Sequence, residues 1–466
     1  MVVEGWLARA TAARPGHTAV DTPAGSCSYA ELLEAARAGA EELADRGARA
    51  GERVAIALPG GLAFARALHA CFLLGAVAVP LDTRLTPRER APLAEGAAVL
   101  IDEPLRAEGR RQRRRRRGAA APVGPGEHEL SATAVVLHTS GTSTSPRPVE
   151  LTYGNLLWSA LGSAVALDLD PAERWLCALP VSHVAGLAIL VRSAIYATTA
   201  VVHERFETDR VLHALRAHEI TLVSLVGTTL ERLLDAGLAR PRPLRCALTG
   251  GGPVPPVLRE RARAAEVPAA LTYGLTEACS QVTTTPSALL EREGPVPGPP
   301  LFCVRTRIAA RPPDADPIAE TPAQTNGGEI LVAGPTVAPA SRERDGWLHT
   351  GDLGFLDEQG RLHVTGRQAD TIISGGENVA PAEVEAVLEA HPDVLEAAVV
   401  GRSHPGWGES VTAIVVPRAG RAPAGEALRA HCARSLAPYK VPRQIVFSGR
   451  PLPRTPSGKL LRRKLR

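Results

Sequence analysis

From position 28 to about 285, short apolar runs alternate with stretches of helical length and period, and that alternation leaves few folds open. A helix is predicted over 29–43, with Ser28 as N-cap and Glu31 near the capping-box place. A strand over 53–58, a helix over 62–74 and a strand over 76–81 follow. After residue 130 the alternation returns: strands over 134–138, 174–179, 200–203 and 221–225, with helices over 153–165, 187–196, 209–218 and 229–235 between them. Strands alternating with helices imply parallel sheets covered on both faces. The two stretches read as two α/β halves without a residue-level repeat.

Residues 286–345 are rich in Pro and Gly, with β-like pieces at 303–308 and 329–332, and read as a smaller β subdomain. Beyond Gly366 a helix over 382–390, strands over 394–400 and 411–416 and a helix over 425–436 make a compact α+β unit of about 100 residues. The fold class is therefore α/β: a large N-terminal domain (1–366) of doubly wound mixed sheets plus a β subdomain, then a small C-terminal α+β domain (367–466).

At 466 residues the chain is too long for one core. Aromatics are 3% of it, so Leu, Val and Ala must fill the interior. The net charge of +4 is inflated by a run at 110–117 that holds seven Arg. That run reads as a solvated surface loop or as a patch for an anionic partner. No aromatic residue interleaves it, which argues against nucleic acid. Seven Cys are scattered without a C-x-x-C pair or zinc spacing, as expected of a reduced, cytoplasmic protein. The first ten residues lack an apolar signal-peptide core, and no run reaches the ~18 apolar residues of a membrane span.

A set of separated segments carries the chemistry. The strand over 134–138 runs into Thr139-Ser140-Gly141-Thr142-Ser143, small hydroxyl residues and a glycine suited to cradling phosphate. The strand over 244–248 ends at Gly250-Gly251-Gly252, which lets a flat ligand approach the backbone. The strand over 269–272 ends at Tyr273-Gly274-Leu275-Thr276-Glu277, facing the ligand crevice of a parallel sheet. Thr350-Gly351-Asp352 and Gly366-Arg367 offer a carboxylate and a guanidinium. Ser374-Gly375-Gly376-Glu377-Asn378 and the tail Pro453-Arg454-Thr455-Pro456-Ser457-Gly458-Lys459 complete the set.

In this order the segments resemble those of acyl-adenylate-forming, AMP-dependent ligases. The resemblance implies that ATP and a small carboxylic acid give an acyl-AMP, whose acyl group then passes to CoA. Thr139, Ser140, Gly141, Thr142 and Ser143 would hold the phosphates, and Gly251, Gly252, Tyr273 and Gly274 would flank adenine. Thr276 would bond the α-phosphate, Glu277 would hold Mg²⁺, and Asp352 and Arg367 would bind the ribose. Lys459 would be the adenylation lysine, carried on a mobile C-terminal domain that pivots at Ala369. Gly375 and Gly376 would let the CoA arm pass. Thr144, Arg147 and Pro148 depart from the family's phosphate loop, which has Gly, Lys and Gly there. A nucleotide-binding protein with a decayed loop is the reading those changes leave open.

The segments from Pro180 to Leu187, Ser224 to Leu230 and Tyr273 to Gln281 most resemble o-succinylbenzoate–CoA ligases of menaquinone biosynthesis. Another acyl- or aryl-CoA ligase is the alternative. His183 and Thr228 are candidates for the acyl pocket. Arg192 and Arg232 either decorate helix surfaces or answer the second carboxylate of such an acid. A homodimer is left open, as is a carrier-protein thiol in place of CoA.

Overall fold

The computed structural model describes residues 1–106, 126–139, 147–309, 327–374, 377–404, 408–436, 438–455 and 460–465. The largest sheet has six parallel strands at its centre, in the order Ala269–Leu275, Cys246–Gly250, Leu222–Val226, Arg174–Cys177, Thr199–Val202 and Thr18–Thr22. The inner strands Cys246–Gly250, Leu222–Val226 and Thr199–Val202 are short, largely apolar and buried, as parallel strands under helices must be. Ser224 is polar among them, but its Oγ accepts the Trp175 indole N–H at 3.0 Å. A second sheet places Val99–Ile101, Arg53–Ile56, Val77–Pro80 and Thr133–Thr139 in parallel.

Both sheets end in antiparallel strands that the apolar pattern did not announce. Ser280–Thr284 closes one edge of the large sheet and Gly25–Ser28 the other, while Arg147–Thr152 folds back on Thr133–Thr139. The helix Pro256–Ala264 and the strand Gln444–Phe447 were also absent from the sequence reading. The predicted helices otherwise stand. Ser28 caps Tyr29–Asp45 with the full reciprocal box to Glu31. The helix predicted from 187 starts earlier, at Val184, directly after His183.

The β subdomain is an antiparallel sheet of Arg305–Ala309, Gly328–Ala333, Leu348–Leu356 and Leu362–Arg367, so it runs beyond the expected limit of 345. Next comes a short turn, Gln368–Asp370, and then the C-terminal sheet. Its long hairpin of Val394–His404 and Gly408–Pro417 is flanked by Ile372–Ser374 and by the parallel strand Gln444–Phe447. Pro381–Glu389 and Gly425–Ala433 cover one face and share a core with Val399, Val411 and Val415.

The N-terminal core is continuous across its two sheets and is mostly Leu, Val and Ala, with Trp175, Tyr29 and Phe64 as the largest fully buried side chains. All seven cysteines are free thiols. Among the described residues no helix is long and apolar enough to cross a membrane. The Arg run at 110–117 lies outside the described residues.

Candidate active site

Four neighbouring parallel strands deliver candidate residues to one edge of the large sheet. Arg174–Cys177 leads to His183, Leu222–Val226 to Gly227 and Thr228, Cys246–Gly250 to Gly251 and Gly252, and Ala269–Leu275 to Thr276 and Glu277. The carboxyl edge of a parallel sheet is where such folds bind ligands, because the loops there are free to diverge while the strands hold their roots.

The backbone of this edge is tightly specified at two glycines. Gly251 has φ 75°, a conformation that side chains disfavour. A Cβ on Gly274 would stand 1.7 Å from the Ser280 carbonyl oxygen, where the sheet register shifts between Tyr273 and Gly274. The Thr276–Ala278 turn lies against the β-subdomain loop between Gly328–Ala333 and Leu348–Leu356, where the Glu277 carbonyl accepts the Ala338 N–H at 2.8 Å.

Tyr273, Asp352 and Arg367 meet in one cluster. The Tyr273 hydroxyl donates to Asp352 Oδ2 at 2.8 Å, and Arg367 Nε lies 2.7 Å from Asp352 Oδ1. Asp352 and Arg367 are cross-strand partners, so the pairing is set by register. Burial, and then the charge of Asp352, push the Tyr273 phenol far up, so it stays a donor. Asp352 therefore sits in a strand with its Thr-Gly turn-like step inside it. The Thr350 hydroxyl donates to the Ile330 carbonyl and accepts the Asp352 N–H. A ribose diol arriving here meets one carboxylate already oriented by two donors.

Glu277 is partly buried, and its carboxylate has no partner among the described residues. Nor do three or more His, Cys, Asp or Glu side chains come together among those residues in a way that could hold a metal ion. A hard cation held here would take one carboxylate and fill its other positions with phosphate and water oxygens, which is how magnesium binds in nucleotide sites. The residues fit Mg²⁺ in that mode.

His183 lies beside the loop after Val77–Pro80. Burial lowers its pKa; Asp82 raises it and Arg84 lowers it, and those two residues pair at 2.6 Å. Its buried Nε2 has no hydrogen-bond partner. Thr228 is partly exposed on the first turn of Gly227–Asp235, and Arg232 on the same helix is exposed.

The surface-decoration alternative for Arg192 is overturned. Arg192 is 2% exposed, in a buried helix that is otherwise almost wholly apolar. Its Nη2 donates to Ser159 Oγ at 3.0 Å, and Ser159 in turn donates to the Cys279 carbonyl at 2.6 Å, two residues past Glu277. The guanidinium also stacks over Trp175 at 5.6 Å, and its Nε is unpartnered. Among the described residues it has no carboxylate partner. The signal was available: a helix apolar on all sides has no solvent face to decorate.

Thr139 ends its strand opposite Arg147, and its hydroxyl donates to the Arg147 carbonyl at 3.3 Å. Ser140, Gly141, Thr142, Ser143 and Thr144 lie outside the described residues. So do Gly375 and Gly376, between the paired strands Ile372–Ser374 and Glu377–Val379, and Lys459 in the tail. Ala369 stands in the Gln368–Asp370 turn, two residues after Arg367.

The chain matches the AMP-binding enzyme family over residues 7–340 and the AMP-binding enzyme C-terminal domain over 383–459. It is 38% identical over 482 residues to the 2-succinylbenzoate–CoA ligase of Bacillus subtilis (strain 168), covering 99% of this chain and 97% of that one. It is 39% identical over 483 residues to the 2-succinylbenzoate–CoA ligase of Geobacillus kaustophilus, again 99% and 97% of the two chains. Among solved structures it is similar to o-succinylbenzoate CoA synthetase from Bacillus subtilis in complex with the acyl-adenylate intermediate OSB-AMP. The TM-score is 0.87 at 36% identity, covering 100% of this chain and 98% of that one. The same enzyme with ATP and magnesium ion gives a TM-score of 0.85 at 36% identity, with both chains covered in full. The fold, the order of the site segments and these matches agree, and the chain belongs to the AMP-binding enzyme family.

Proposed function

We propose that the protein is an acid–thiol ligase that converts 2-succinylbenzoate to 2-succinylbenzoyl-CoA through an acyl-AMP, a step of menaquinone biosynthesis. The observation that carries the reading is the Tyr273–Asp352–Arg367 cluster beside the Thr276–Glu277 turn, in a chain that matches 2-succinylbenzoate–CoA ligases over nearly its whole length. The domains divide at about residue 367, where the β subdomain ends and the Gln368–Asp370 turn begins.

In this reading Asp352 takes the ribose hydroxyls, Gly251, Gly252, Tyr273 and Gly274 flank adenine, and Thr139 with the loop after it holds the phosphates. Glu277 would hold Mg²⁺, which when bound offsets phosphate charge. The acid's carboxylate oxygen attacks the α-phosphorus, with Thr276 donating to an α-phosphate oxygen, and pyrophosphate leaves. Lys459 supplies positive charge between the two reacting groups, where negative charge concentrates in the transition state. The C-terminal domain then turns at Ala369 and brings Gly375 and Gly376 to the site. The CoA sulfur attacks the acyl carbon there, and AMP departs.

The acid has a second carboxylate, which must be held without reacting. Arg192 supports this assignment, because a buried guanidinium with only neutral partners retains a charge that an anion would offset. His183 and Thr228 line the acyl side of the same edge. Small molecules are the partners required, and the seven free thiols suit a reducing cytoplasm.

The test is a panel of acids supplied with ATP and CoA, with the thioester product read by mass. The proposal expects 2-succinylbenzoyl-CoA as the dominant product. Turnover of benzoate or malonate without turnover of 2-succinylbenzoate would reject it.

A further inference from the structure

The tail that leads to and from Lys459 is mounted on the C-terminal domain at both its ends. The chain leaves the described residues after Thr455 and returns at Leu460, and Arg454 and Leu460 form an antiparallel bridge. The Leu461 N–H donates to the Pro453 carbonyl at 2.8 Å. Arg454 Nη2 also reaches Glu396 Oε2 at 2.9 Å, on the Val394–His404 strand. Leu460 and Leu465 pack against Leu452, Val400 and Ile414. These contacts fix how deep the tail sits.

One residue does something different. Arg462 Nη2 lies 2.6 Å from Glu385 Oε2, and its Nε donates to Glu385 Oε1 at 3.2 Å. The same guanidinium places Nη1 3.1 Å from Asp370 Oδ2. Glu385 is itself fixed, because Oε1 accepts the Val399 N–H at 2.8 Å inside the domain core. Asp370 directly follows Ala369. A planar fork can hold two carboxylates at once in fixed directions, which an ammonium cannot do.

We propose that Arg462 is a positioning residue for the adenylation half-reaction: by binding Asp370 and Glu385 together it ties the Lys459 segment to the pivot, so that tail and domain turn as one lever. This rests on the roles given above to Lys459 and Ala369. The strut is three residues past Lys459 in the chain and one residue past the pivot. The loop for the second half-reaction is mounted separately. Its strand Ile372–Ser374 pairs with Glu377–Val379 and with Gly408, and the Ile373 N–H donates to Glu409 Oε2 at 2.9 Å. Loosening Arg462 therefore misplaces the lysine and leaves that loop in place.

The experiment uses the full chain and reads the two half-reactions apart. Acid-dependent ATP–pyrophosphate exchange reports adenylation, and thioester formation from supplied acyl-adenylate and CoA reports transfer. Arg462→Gln is expected to slow exchange roughly 100-fold, the scale of an ångström-size misplacement. The KM for ATP and the rate of thioester transfer should stay unchanged. Asp370→Asn leaves Glu385 with its arginine and is expected to slow exchange in the same direction by less. It carries the test if Arg462→Gln does not fold, and unchanged exchange in Asp370→Asn would then overturn the proposal. Unchanged exchange in Arg462→Gln, or equal loss in both half-reactions, overturns it outright. Lys459→Ala is run alongside: if it leaves exchange intact, the role given to the lysine fails first, and the strut has nothing to position.

Discussion

The N-terminal body and the C-terminal domain hold their working residues by different means. In the body, placement comes from backbone. Asp352 and Arg367 face each other because two strands are in register, and Thr276 and Glu277 stand where they do because Gly274 lets the chain pass within contact of Ser280. In the C-terminal domain, a short backbone bridge and leucine packing seat the tail, and side-chain ion pairs tie it and its neighbours together. Arg462 binds Glu385 and Asp370, Arg454 binds Glu396, and Lys440 binds Glu383 at 2.8 Å. A sheet edge is rigid and cannot be re-aimed, which suits a nucleotide site. Under the proposed function, an ion-paired mount on a small domain would keep the adenylation lysine aligned while the domain turns as a whole. The contrast says which changes should unfold the protein and which should only mistime it.

The largest expected effect breaks the body's backbone. Gly274→Val puts side-chain atoms where the Ser280 carbonyl oxygen already sits, so roughly 4 kcal/mol or more of stability should be lost, read as the denaturant midpoint. A midpoint equal to that of the parent would show that the sheet edge yields.

Acid comes next, and it should strike the body. His69 and His128 are buried beside Phe72, Trp6 and Tyr153, and burial pushes both imidazoles from the usual 6.5 down to about 4. Both are neutral in the folded protein. Their folded pKa values lie below the unfolded ones, so their contribution is fully present above pH 6.5 and is lost as pH falls toward 4. Each should remove on the order of 3 kcal/mol by pH 4. Replacing His128 by Gln should flatten the fall in melting temperature between pH 6.5 and 4, and an unchanged slope would remove His128 from the account.

Tyr273→Phe sharpens the comparison inside the site. It deletes one donor to a carboxylate that keeps its Arg367 partner, so about 1.5–3 kcal/mol should be lost. We expect that loss as weaker ATP binding in calorimetry, with the fold intact. The smallest effect is at the surface. Arg53 and Glu150 pair at 2.9 Å with both side chains over 40% exposed, and Arg53→Ala should change stability by less than about 1 kcal/mol in a denaturant melt.

Much of the body was legible in the sequence because its central strands are continuous apolar runs and its helices carry their own caps. The edge strands were not. Ser280–Thr284 buries Gln281, Thr283 and Thr284, with Gln281 Nε2 donating to Thr284 Oγ1 at 2.7 Å while Gln281 Oε1 stays unpartnered among the described residues. A polar strand with private partners gives no apolar alternation to read. Arg147 and Pro148, read as departures from the family's phosphate loop, also open an antiparallel strand. The strand Gln444–Phe447 is four residues long and half exposed, too short for a period to show. In the site, Tyr273, Asp352 and Arg367 were legible as separate motifs. That the phenol and guanidinium share one carboxylate was not, because it depends on the pairing of two strands whose register the sequence does not announce. The partners of Arg192 and Arg462 were hidden for a related reason. A cation's partner is chosen by packing, and sequence distance carries no trace of it.

The most direct measurement of the central claim is a crystal structure of the full chain with a non-hydrolysable mimic of the acyl-adenylate. The account predicts the ribose hydroxyls on Asp352, the phosphate replacement at Thr276, and the succinyl carboxylate directed toward Arg192. A mimic bound away from Asp352 and Thr276 would contradict it.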